Sequence, residues 1–368
     1  MQALLRARLL VSSLRPPRVL FSSDHGAQAS LSRAPYTVFQ SPNRNNDNLL
    51  GFQKMMPVGS IMFVQKEFYC SGIPDSHTEA VKELYDKMLE SLSQQRSMPP
   101  NAWLWSLIDN CTNVDDIKLL FNILKRLKIF RLSNLRIHGK FDCNLCGEVT
   151  KASIRAGAID FGKKALWKHN VYGLSPSLVS AHHLLMYAKQ QKDVSLMVDT
   201  MKLIEKNNLP LQPSTADIIF SICYNADDWE LMNKYSKIFV KAGVKLRRTS
   251  FDLWMDFAAK RGDVDSLMKI EILRSETTTR HSILTAISCA KLLLLQNKPE
   301  DAAAMIRSVN QILPKSMSSK MIAEFQKLVE KWPLEVIKHQ KDEDIKESAA
   351  AALQKNINVM LVLLADMV

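Results

Sequence analysis

A turn-forming residue returns along this chain every 35 positions, and that recurrence limits the possible folds more than any other feature. Gly173, Asn208 and Gly243 lie at intervals of 35 and 35, each closing a lysine-containing, helix-like stretch. A second series runs out of phase with it: Gly157, Asp193, Asp228 and Asp263, at intervals of 36, 35 and 35. Two turn signals per period, with apolar segments between them, describe one helical hairpin per period. A period in this range is that of a helical solenoid, in which each hairpin buries its apolar face against its neighbours. The expected fold is all-α: an α-solenoid of about six helical hairpins, with a binding surface rather than a catalytic cleft.

Length and composition agree. A chain of 368 residues is long for a single core, and 46% of it is apolar, as in a folded soluble protein. With only 11 glycines and little β-branched alternation, helix is favoured throughout. Apolar runs such as Leu292 to Leu295 and Val359 to Leu364 are far below the ~18 residues of a transmembrane helix. No membrane span is expected.

Residues 1–33 read as an address. Arg6, Arg8, Arg15, Arg18 and Arg33 alternate with leucines, serines are frequent, and Asp24 is the one acid. An Arg-rich, Ser-rich, acid-poor amphipathic start is the pattern of a mitochondrial transit peptide, so a matrix location is expected. The whole chain carries +12. Those five arginines and one aspartate account for +4 of it, leaving +8, an excess that suits contact with a polyanion. The six cysteines do not suggest a disulfide framework in such a compartment.

Residues 34–75, rich in Asn, Ser and Pro, read as a disordered or loosely docked linker. A helical-repeat domain is expected over 76–340, opening with caps at Asp75 to Glu79 and a helix carrying Val81, Leu84, Met88 and Leu89. Hairpins are expected at 101–130, 141–172, 177–208, 214–242, 249–275 and 280–313, followed by a helix from Met317 to Trp332 ended by Pro333. Residues 341–368 form a last helix, which caps the array or docks on a partner through Met360, Leu361, Leu363 and Leu364.

Catalytic signatures are not found. Cys143 and Cys146, with His138 nearby, have the spacing of half a zinc site, but structural zinc needs four ligands and no second pair follows. Asp115-Asp116 and Asp227-Asp228 fall at turns and read as helix caps, while Asp342-Glu343-Asp344 lies in a lysine-flanked solvated stretch. There is no phosphate loop and no nucleophile elbow. No catalytic residue, metal or cofactor is expected, and the protein is not expected to be an enzyme.

The segment Ala156-Gly157, Ala165-Leu166 and Tyr172-Gly173-Leu174-Ser175-Pro176-Ser177 resembles the pentatricopeptide repeat, with its Gly-containing turn, Ala-Leu helix and Gly-hydrophobic, Pro-polar junction. Asn208-Leu209 before Pro213-Ser214, and Ala242-Gly243-Val244 before Arg248-Thr249, repeat the junction, the latter without the proline. The likeness covers roughly residues 100 to 315 and is strongest as a phased series. It implies single-stranded mitochondrial RNA as partner, read in the groove of the first helices, and a role in processing, maturation or stabilisation of mitochondrial transcripts that supports the respiratory chain.

Carried over position by position, the base-facing residues are His182, Asp217 and Asp252, spaced by 35, with second reading positions near Ser177, Ser214 and Arg248. The family prefers Asn, Thr or Ser on the helix and Asp or Asn at the junction, so a base-by-base code is not expected here. Lys163, Lys164, Lys245, Arg247 and Arg248, with Lys125, Arg126 and Lys128, are the candidate phosphate contacts. The competing expectation is a protein-binding scaffold, such as a component or assembly factor of the small mitochondrial ribosomal subunit, or a partner of RNA-processing proteins. Acids interrupting the basic stripe along the first helices favour that alternative.

Overall fold

The computed structural model describes residues 78–133, 141–277, 280–313, 317–339 and 343–365. The expected leader (1–33), linker (34–75) and His138 lie outside the described residues. Within them the regular structure is entirely helical. It begins with α1 (Glu79–Ser93) and the pair α2 (Asn101–Asn110) and α3 (Val114–Ser133). Next come α4 (Cys143–Arg155) and α5 (Ile159–Ala165), α6 (Leu178–Gln191) and α7 (Val194–Lys206), and α8 (Pro213–Asn225) and α9 (Trp229–Lys241). The later pairs are α10 (Arg248–Lys260) with α11 (Val264–Thr277), α12 (Ile283–Leu295) with α13 (Pro299–Ile312), and α14 (Ser318–Glu330) with α15 (Trp332–His339). Last is α16 (Glu343–Leu363).

The helix starts keep time. Cys143, Leu178, Pro213, Arg248, Ile283 and Ser318, which open α4, α6, α8, α10, α12 and α14, are each 35 residues apart. Ile159, Val194, Trp229, Val264 and Pro299 open the second helices at the same step. Each first helix packs against the next one along the chain, from α2 to α14, and most first helices also pack against the second helix of their own pair.

Local chemistry sets this rhythm. In the five pairs from α4/α5 to α12/α13 the inner turn passes through a left-handed residue, at Gly157, Lys192, Asp227, Gly262 and Asn297, with φ between 55° and 71°. The N–H directly after the left-handed residue then bonds back five residues, as in Asp193 to the Ala188 carbonyl (2.9 Å) and Asp228 to that of Cys223 (3.0 Å). That is the Schellman closure of a helix C-terminus. In three turns the next residue is an aspartate whose carboxylate caps the second helix, accepting from Leu196, Leu231 and Ser266 N–H at 2.9 Å each. The turns that leave α5, α7 and α9 use Gly173, Asn208 and Gly243, all at positive φ.

Two expectations shift. No side-chain cap from Thr78 supports α1; instead Thr78 donates from its N–H (3.0 Å) and its hydroxyl (2.8 Å) to Asp116, a fully buried carboxylate that also accepts from the Thr112 N–H at 3.1 Å. Asp116 therefore joins two elements as well as bonding its own turn. Pro333 occupies the second position of α15, where its missing N–H costs nothing, and α14 already stops at Glu330.

Buried apolar side chains form two clusters, one running from Val81 to Leu174 and the other from Leu166 to Leu364. They meet at the connection after α5. That helix has seven residues where the other second helices, α7 to α13, have 13 or 14. At the far end α16 packs on α12, α13 and α15, burying Leu353, Ile357, Met360 and Leu364. Among the described residues no helix is long and apolar enough to cross a membrane.

Candidate nucleic-acid interface

His182, Asp217 and Asp252 each occupy the fifth position of a first helix, in α6, α8 and α10. Because those helices lie side by side, each residue faces the N-terminus of the next one. His182 Nε2 is hydrogen-bonded to Thr215 Oγ1 at 2.8 Å. Asp217 accepts from Thr249 Oγ1 at 2.7 Å and Ser250 Oγ at 2.5 Å, and pairs with Arg247 at 3.4 Å. Asp252 accepts from the Ser282 hydroxyl, which caps α12. The expected base-facing positions thus bond within the protein, linking successive helix pairs. All three remain half-buried.

Burial gives these groups their electrostatics. Removal from water lowers the His182 pKa, with a smaller push from His183, so its imidazole is neutral at pH 7. Burial likewise raises the Asp252 carboxyl, against the Ser282 hydrogen bond and the charges of Arg248, Lys320 and Arg274. Neither group is suited to neutralising phosphate.

The junction residues behave differently. Ser177 is the N-cap of α6, accepting from the Ser180 N–H at 3.2 Å. The Ser214 hydroxyl sits 3.4 Å from Gln212 Oε1. Lys245, Arg247 and Arg248 are exposed around the start of α10, with Arg247 held toward Asp217. Lys163 and Lys164 lie on α5, away from that edge, and join Lys202 and Lys206 of α7 around a surface cleft of about 430 Å³ that also contains Asp160, Asp199 and Trp167.

Three features escape the sequence reading. Tyr224 donates to Asp256 at 2.5 Å, and Lys291, with a side chain only 8% exposed, donates to the other carboxylate oxygen at 2.9 Å. Lys260 pairs with Asp256 at 3.5 Å and donates to the Tyr224 hydroxyl. This network joins α8, α10 and α12. Its one signal is spacing, since Asp256 and Lys291 stand 35 apart. The second feature is Trp167, which the run Lys163-Lys164-Ala-Leu-Trp167-Lys168 hints at.

The third is a buried group formed by Glu271, His281 and Cys289, whose ligand-type atoms lie within 4.8 Å of one another. Arg274 already takes the cation's place there, bonding both oxygens of Glu271 at 2.7 Å. The geometry is that of a bidentate ion pair. Cys143 and Cys146 do not come together as a site: Cys143 is exposed, and the buried Cys146 thiol points to the Ala165 carbonyl at 3.6 Å.

With this geometry in view, the chain matches no protein-family model and no curated protein.

Proposed function

We propose that the protein is a mitochondrial, pentatricopeptide-type helical solenoid that binds single-stranded RNA and supports the maturation or stabilisation of organellar transcripts. The observation that carries this reading is the 35-residue step of the first helices, each packed on the next. Such a step presents equivalent side chains at regular intervals along an extended strand. A residual charge of +8 outside the arginine-rich start supplies attraction to phosphates. Because His182, Asp217 and Asp252 link neighbouring pairs, recognition is tolerant of sequence rather than a residue-per-base code.

The same bonds favour a second reading, a protein-binding scaffold at the small mitochondrial ribosomal subunit, since a surface that does not read bases suits a peptide or helix equally well. Ultraviolet crosslinking of the tagged full chain in mitochondria, followed by sequencing of attached RNA, separates the two. A peak on a messenger or transcript junction is the expected result. Reads confined to ribosomal RNA select the scaffold, and no enrichment above background removes the RNA reading.

A further inference from the structure

The cleft between α5 and α7 combines an aromatic plane with uncommitted positive charge. Trp167 is 49% exposed. Its backbone is held firmly. The Asn207 amide donates to the Leu166 carbonyl at 2.7 Å, and Asn170, itself buried, donates to the carbonyls of Trp167 (3.0 Å) and Leu174 (2.7 Å). The Asn170 side-chain oxygen accepts from Tyr172 and Leu174 N–H, and Lys128 donates to its backbone carbonyl. Bonds from α3, α7 and the loop itself thus fix the position from which the indole projects.

The charges around it divide into two sets. Asp160 and Asp199 are engaged by Lys163 at 3.1 and 3.9 Å, and Asp199 also by Lys202 at 3.4 Å. Lys164 and Lys206 make no ion pair among the described residues; Lys164 lies 4.5 Å over the Phe161 ring. Four lysines against two aspartates leave the cleft at net +2.

We infer that this cleft is a stacking site for one base of a single-stranded RNA, with Trp167 under the base and Lys164 and Lys206 on the flanking phosphates. The inference rests on the RNA-binding reading and moves one contact from the first helices to the second. An acidic peptide would satisfy the lysines and leave the indole face without a partner, whereas a nucleotide uses both. Stacking tolerates any base, as expected of a protein whose base-reading positions are committed elsewhere.

The test uses the full chain and an RNA of about 12 nucleotides containing 4-thiouridine. Irradiation followed by peptide mapping should place adducts within residues 160–168 or 199–206. In parallel, Trp167→Ala should weaken binding by about tenfold or more, and Trp167→Phe by less. The pair Lys164→Gln and Lys206→Gln should flatten the logarithmic salt dependence by roughly 1.4, two phosphate contacts' worth. Unchanged helical circular dichroism in each variant excludes misfolding as the cause.

Adducts confined to residues 177–182, 214–217 and 247–252, with Trp167→Ala binding normally, overturn the cleft and leave the RNA reading standing. Failure of the unaltered chain to bind the RNA overturns both. Adducts elsewhere, with retention of an acidic peptide that Trp167→Ala abolishes, assign the cleft to protein and overturn the inference.

Discussion

Gly243 and Gly262 adopt nearly the same left-handed backbone, φ 69° and 68°, in different surroundings. A Cβ added at Gly243 meets nothing within 4 Å, whereas at Gly262 it meets Val336 Cγ1 at 3.2 Å. Alanine at Gly243 therefore carries the backbone penalty alone, about 1 kcal/mol. Alanine at Gly262 adds a clash with α15, so its loss of stability in chemical denaturation should be the larger of the two. Equal losses would show that α15 yields freely at this contact. Half of this turn chemistry is legible beforehand. Glycine and asparagine announce φ > 0, and the aspartates announce caps, but the left-handed residues of the middle turns are Asp227, whose type marks a cap as readily as a left-handed turn, and Lys192, which carries no such signal. Lysine adopts that conformation because the closing backbone bonds on either side require it. Hence the marks read from sequence as 157, 193, 228 and 263 resolve into strict 35-residue steps at 157, 192, 227 and 262.

Between helices, the polar bonds that join pairs are where sequence reading has least purchase. Asp256 and Lys291 look like solvent-facing charges on separate helices; only packing reveals them as partners sharing Tyr224. Burial raises the Asp256 carboxyl, but Lys291 and Lys260 together outweigh it and hold the group below the usual carboxylate range. A carboxylate depressed in the folded state stabilises it fully above the unfolded pKa, near 3.8, and loses that contribution as pH falls through the folded value. Asp256→Ala should thus cost on the order of 3 kcal/mol at pH 7, because it strands Lys291 among apolar neighbours. The gap from the unaltered protein should narrow once the pH drops below about 4. A gap that stays constant across this range would mean that packing, not charge, sets the cost. The same blindness applies to His182, Asp217 and Asp252: their register was readable, their partners were not, because each partner sits about 30 to 33 residues away on the adjoining helix.

At the scale of the molecule, all-helical structure and the position of nearly every turn follow from periodicity, since each hairpin is a local object. What periodicity leaves open is where the series is interrupted. The shortened α5, the seam between the two apolar clusters and the exposed Trp167 all fall at one place, and Asn170 makes the interruption possible by bonding four groups from within the loop. The fate of the terminal helix was equally open, and α16 resolves it by covering α12 and α13, with Asn356 donating to the Leu294 carbonyl at 3.0 Å. The coupling between first helices also has a consequence for how a gene of this kind can change length. Ser250 stands 35 positions after Thr215, so excising residues 213–247 would bring a hydroxyl of the same register opposite His182. A chain shortened by that one period should keep its helical signal and melt cooperatively, while one shortened by half a period should not. Whole periods are then the increments by which this fold can be lengthened or shortened, with His182, Asp217 and Asp252 serving as interchangeable splices.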